Sequence, residues 1–151
     1  MPGTANVTIT KQDNTEITWQ CFVATTILEQ SSGLAGLDGI DPESGMIFLF
    51  GASGVLNVTT EFMLFDIDVI FIDSNSIVTS VEHAVEPGNW LIGNGQAFLE
   101  VNSGEAVDIK IGDTVVVDYL QQEVDWMGPL LLIGLLGVTG IGLTALTSTD
   151  K

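Results

Sequence analysis

Few side chains in this 151-residue sequence have the type and spacing that chemistry needs. Asp66 and Asp68 stand two apart in a run that reads as a strand, so both carboxylates fall on one face, where they can share acid–base work or hold a hard cation. His83, the only histidine, follows Glu82 at the end of another strand-like run. No nucleophile stands beside it, so a surface or hydrogen-bonded histidine is a simpler reading than a general base. Cys21 is the only cysteine and lies between Trp19 and Phe22. It has no disulfide partner, a lone thiol and a lone imidazole make no metal cage, and it reads as a small buried apolar side chain. Asp38, Asp41 and Glu43 gather in one loop that can attract calcium but lacks the spacing of a calcium-binding loop. The expectation is no catalytic set, no cofactor site and no metal site, which makes an enzyme the least favoured class.

Twenty Asp and Glu oppose three Lys and Arg, giving a formal charge of -17, yet 46% of the residues are hydrophobic and the mean hydropathy is +0.43. There is no arginine, and Lys11, Lys110 and Lys151 are too few to neutralise a run of phosphates. Nucleic acid is therefore excluded as a partner, and anionic lipid headgroups would repel the acidic part. So hydrated and negative a surface suits a high-salt environment, which screens the self-repulsion.

Charge and hydrophobicity lie in different parts of the chain. Nineteen of the twenty acids precede residue 127, and residues 127–147 carry no charge. At 1.5 Å per residue this uncharged run makes a helix of about 30 Å, the hydrocarbon thickness of a bilayer. Its boundary residues are Trp126 and Met127, with Pro129 in the first turn. Gly134, Gly137 and Gly140 recur every three residues, and Gly140 pairs with Thr144 as small-xxx-small, a pattern that lets helices approach closely in lipid. The expected organisation is an acidic β-domain over 1–120, a linker over 121–126, a transmembrane anchor over 127–147 and a polar tail over 148–151. An apolar helix buried in an assembly is the alternative for 127–147. Met1 to Asn6 has neither a basic start nor an apolar stretch, so no signal peptide is expected and the β-domain should face the compartment of synthesis. Asn6-Val-Thr8 and Asn57-Val-Thr59 match the glycosylation triplet, a pattern common by chance.

The elements that must position these residues are mostly strands. Period-two runs rich in Val, Ile, Phe and Thr fall at 6–10, 17–25, 46–50, 68–73, 77–82, 97–101 and 114–119. Turn residues separate them, including Gly51 to Gly54, Pro87 to Asn89, Gly93 to Gly95 and Gly112-Asp113. A short helix over 26–32 is capped by Thr25 or Thr26 and stopped by Gly33. Seven short strands at such spacing predict a mainly β protein, a compact sandwich or barrel with one short helix.

Phe22 to Leu34, Gly45-Met46-Ile-Phe48-Leu-Phe50, Asp68 to Asp73, Leu99-Glu100-Val-Asn-Ser-Gly104 and Gly112-Asp113 occur in an order that resembles the uncharacterised DUF192 family over about residues 7–118. The resemblance implies a jelly-roll-like sandwich. Where the family carries aromatic-Met-x-Asn-Thr, this chain has Val58-Thr-Thr-Glu-Phe-Met63; Asp66 replaces the usual proline, and the arginine after the Gly-Leu segment is missing. A pocket built by those family residues is therefore not expected to carry over, which favours a scaffold role.

Three function classes compete. The leading one is a non-enzymatic structural protein anchored in a membrane, such as a virion component joining a capsid shell to an internal membrane or a cell-envelope subunit. Its partners would be lipid, through the C-terminal helix, and other proteins of a larger assembly. The alternative is a membrane-tethered module for a small ligand or metal; an enzyme is third. Sandwich edges, the loops at 51–54 and 87–95, and Trp90 are the candidate contact surfaces, with core packing the competing role for Trp90.

Overall fold

A computed structural model describes residues 2–120. The expected span and its residues Trp126, Met127, Gly134, Gly137, Gly140 and Thr144 lie outside the described residues. Among the described residues no helix is long and apolar enough to cross a membrane.

Among the described residues, seven strands and one short helix follow in the order β1 (Gly3–Thr10), β2 (Glu16–Ala24), α1 (Ile27–Ser32), β3 (Ser44–Thr59), β4 (Ile67–Ile72), β5 (Val78–Val85), β6 (Trp90–Asn102) and β7 (Thr114–Leu120). The protein is mainly β, and all seven strands join one sheet in the order β5-β4-β6-β3-β2-β1-β7. Only β2 and β3 run parallel. A parallel pair needs a crossover, and α1 with the loop after it supplies that connection. α1 forms where a capping box permits: the Thr26 hydroxyl accepts from the Glu29 N–H, and the Glu29 carboxylate accepts from the Thr26 N–H.

The sheet curls until its two ends meet. Ile77, just before β5, bridges to Thr114, and the N–H groups of Val78 and Val115 donate to Asp113 and Ser76 across the seam at 2.9 and 2.8 Å. Alternate residues of the central strands supply two cores. One gathers Val7, Trp19, Ile47, Ile70, Leu99 and Val101; the other gathers Met46, Phe48, Val69, Phe71 and Phe98. β4 is buried along its whole length because both of its faces are covered. Each such aliphatic or aromatic side chain taken out of water stabilises the fold by about 1.5–3 kcal/mol.

Two glycine-rich stretches that read as strand breakers instead lie inside strands. β3 runs through Gly51 to Gly54 with an irregularity between Leu49 and Gly54, and β6 runs through Gly93 to Gly95. At Gly93 and Gly95 the reason is close packing rather than turning. A Cβ on Gly93 would enter the Phe71 ring, and one on Gly95 would meet the Ile72 carbonyl. β2 pairs with β3 only as far as Phe48, and β4 pairs with β6 only from Ala97 onward. Beyond those points 54–59 and 90–95 pair with each other as a two-stranded ribbon.

Candidate functional site

The sheet register sends two neighbouring carboxyl groups to opposite faces. Val69 of β4 pairs with Glu100 of β6, and Asp68 pairs with Val101. Paired residues share a face and successive residues alternate, so Asp68 points into the core of Ile70 and Leu99 while Glu100 joins that of Phe98 and Val69.

Asp68 is fully buried and fully engaged. Its Oδ1 accepts the Ala84 N–H at 2.9 Å, and its Oδ2 accepts the N–H groups of Gly104 and Ala106, each at 3.0 Å. Ala84 has a positive φ of 50° in a bulge, where β5 places two residues, His83 and Ala84, opposite Asp68 alone. Asp68 thus ties the β5 bulge to the turn after β6. His83 Nδ1 lies 3.7 Å from the same Oδ2, with nearly half of its side chain exposed. Asp66 lies outside β4 on the exposed surface, so the predicted two-carboxylate face ends where the strand begins.

Glu100 has the opposite environment. It is 5% exposed, no hydrogen bond from the described residues reaches its carboxyl, and burial pushes it up to about 8. Among the described residues every fully enclosed polar side-chain atom has a hydrogen-bond partner, so the free oxygens of Glu100 open onto space rather than into packed core. That space is a pocket of about 130 Å³. Its walls are Phe48, Phe98, Phe62 and Met63, and its polar rim includes Gln30, Asn57 and Thr59. Phe48 and Phe98 stack with centroids 4.3 Å apart and rings inclined by 16°. Gln30 is fixed by donating from Nε2 to the Leu49 carbonyl at 2.8 Å, and the Gly36 N–H donates to the Phe62 carbonyl at 3.0 Å, which joins the α1 side to the 60–63 turn. The Val58–Met63 segment, which departs from the family pattern, therefore lines a pocket in this chain.

The other singled-out residues fall elsewhere. Cys21 is buried in the core, its thiol pushed up to about 12 by desolvation, which makes it unreactive. Asp38, Asp41 and Glu43 are exposed, and among the described residues no three His, Cys, Asp or Glu side chains are placed to hold a metal. Their loop is held instead by Asn102 Nδ2, which donates to the carbonyls of Ile40 and Asp41, and by Glu105, which accepts the Glu43 N–H and the Trp19 indole N–H. Asn6 sits mid-strand between β2 and β7, and Asn57 is exposed on the ribbon. A second opening of about 280 Å³ between β3, β6 and β7 contains Asp73, whose Oδ1 already accepts the N–H groups of Asn75 and Ile77. Trp90 is 67% exposed, and with Ile92 and Val55 it shares the outer face of the ribbon.

Comparison with known proteins fixes the family but no activity. The family model for DUF192, described as uncharacterized ACR, matches residues 7–117. The chain belongs to the DUF192 family. No curated protein matches it. A crystal structure from Sinorhizobium meliloti 1021, provisionally assigned as a transcription regulator, aligns with a TM-score of 0.74 at 17% identity over 77% of this chain and 95% of that one. A protein of unknown function from Novosphingobium aromaticivorans DSM 12444 aligns with a TM-score of 0.70 at 28% identity over 75% of this chain and 84% of that one. The first likeness is one of fold alone.

Glu100 was missed as a site residue although it stands in the Leu-Glu element of the family resemblance. The available signal was an acid in the run Phe98-Leu-Glu-Val101, where every neighbour is apolar and a charge is costly to bury.

Proposed function

We propose that this chain is a non-enzymatic, membrane-anchored protein whose β-domain engages a neighbouring protein at a bilayer through the outer face of the β3–β6 ribbon. The observation that carries this reading is the exposure of Trp90 and Ile92, at 67% and 73%, side by side with Val55 on a domain of strongly negative charge. Large apolar side chains gathered on one exposed face mark association surfaces. The surrounding acidity selects a protein patch fringed by Lys or Arg and disfavours anionic headgroups. The uncharged run 127–147 supplies the anchor. A virion protein joining shell to internal membrane, or a subunit of a cell-envelope complex in a high-salt organism, has this division of labour. We read the curled sheet as a jelly-roll-like barrel, a scaffold that presents the ribbon.

Two changes separate the parts of the proposal. Loss of 127–151 should release the protein from membranes, and Trp90→Glu with Ile92→Glu should leave it membrane-bound but without its stoichiometric neighbour. A doubly substituted protein that still co-purifies with the same neighbour would refute the ribbon as contact surface. A second reading, a membrane-tethered small-ligand module, is favoured by the open carboxyl of Glu100.

A further inference from the structure

We propose that the pocket over Glu100 is a binding site for an alkylammonium group, with the Glu100 carboxylate as counter-ion and the rings of Phe48, Phe98 and Phe62 as walls. Three independent observations lead there. The carboxyl is more than nine-tenths buried, receives no hydrogen bond from the described residues and faces a cavity. A buried charge is stable only when paired, and none of the described residues that line the pocket is cationic. Lys11 and Lys110, the lysines of the described part, border a different opening beside Asp13 and Asp113. The walls also suit a cation, because aromatic faces attract an ammonium within about 6 Å of their centroids. Finally, a chain of formal charge -17 draws cations toward itself from a distance.

Size narrows the ligand further. Drug-sized molecules occupy clefts of about 300–1,000 Å³. A cavity of about 130 Å³ admits only a small amine or the end of a lysine side chain. Both present the same chemistry, an ammonium on a short aliphatic stem.

Binding should displace a proton. Burial holds Glu100 protonated at neutral pH, and an ammonium can pair with it only after that proton leaves to solvent. The other acids on the elements around the pocket are Glu29 of α1 and Glu61 of the 60–63 turn. Glu29 is spent in the capping box and Glu61 is exposed, so Glu100 dominates the linkage. Met46 and Val69, which pair with Glu100, do not titrate.

The test is calorimetric titration of the full chain in detergent with n-butylammonium chloride, against n-butanol as the neutral isostere and at matched ionic strength. The expected result is saturable butylammonium binding with release of close to one proton at pH 7, measured in buffers of different ionisation heat. Affinity should rise about tenfold per pH unit below 8 and level off above it. Glu100→Gln should lower the affinity by at least about tenfold. A lysine-containing peptide that binds more tightly than butylammonium would assign the source as a protein side chain, and the reverse order would assign a free amine. Equal binding of butanol, binding without proton release, or no butylammonium heat at all would overturn the proposal; the proton count needs only the unaltered protein, so a poorly folding variant does not blunt it.

Discussion

Asp68 and Glu100 sit on adjacent strands one register step apart, with their carboxyl groups on opposite faces of the sheet, the first held by three backbone N–H groups and the second by none among the described residues. The same sheet therefore buries one acid as a structural tie and leaves the other free to bind. Asp68→Ala would strand the N–H groups of Ala84, Gly104 and Ala106, and each unmet buried donor costs about 1–3 kcal/mol. We expect a loss of about 3 kcal/mol or more in chemical denaturation, with Asp68→Asn less severe because one acceptor oxygen survives. An Asp68→Ala protein as stable as the parent would show that the tie carries no weight.

Glu100 gives stability a pH dependence of definite sign. Its folded value of about 8 lies above the ordinary 4.5, so the folded chain retains a proton that the unfolded chain releases. This contribution is complete below about pH 4.5, drains as pH rises and is exhausted above about 8. Glu100→Gln keeps the shape without the titration. Its stability relative to the parent should climb between pH 5 and 8, by at most about 1.4 kcal/mol per unit, and then stay constant. Parallel stability curves for the two proteins would contradict the burial of an ionisable carboxyl.

Salt should stabilise the domain. Self-repulsion among nineteen acids before residue 127 is screened within about 3 Å at molar ionic strength. Each kcal/mol of relieved repulsion raises Tm by about 4 °C for a domain of this size. The buried indole of Trp19 offers a fluorescence signal for the unfolding transition. Equal Tm values in dilute buffer and molar sodium chloride would remove the high-salt reading.

Much of the architecture was legible because the strands are strongly periodic and the helix carries its own start signal at Thr26 and Glu29. The ribbon was not legible, because Gly93 and Gly95 look like turn residues until Phe71 and Ile72 are seen packed against them. That contact joins strands distant in sequence, and local pattern does not encode it. The two-carboxylate face failed for a similar reason: alternation holds only within a strand, and β4 starts at Ile67, after Asp66. Trp90 illustrates the limit of residue type, since tryptophan suits a core and an interface equally and only the fold leaves this one exposed.

The ribbon face is tested most directly by a photo-crosslinking residue at position 92 of the full chain, irradiated in native membranes. One discrete protein adduct is expected, abolished by Trp90→Glu, while the same probe at the exposed Asp38 yields none. Adducts to lipid alone, or an equal adduct from both positions, would contradict engagement of a neighbouring protein through this face.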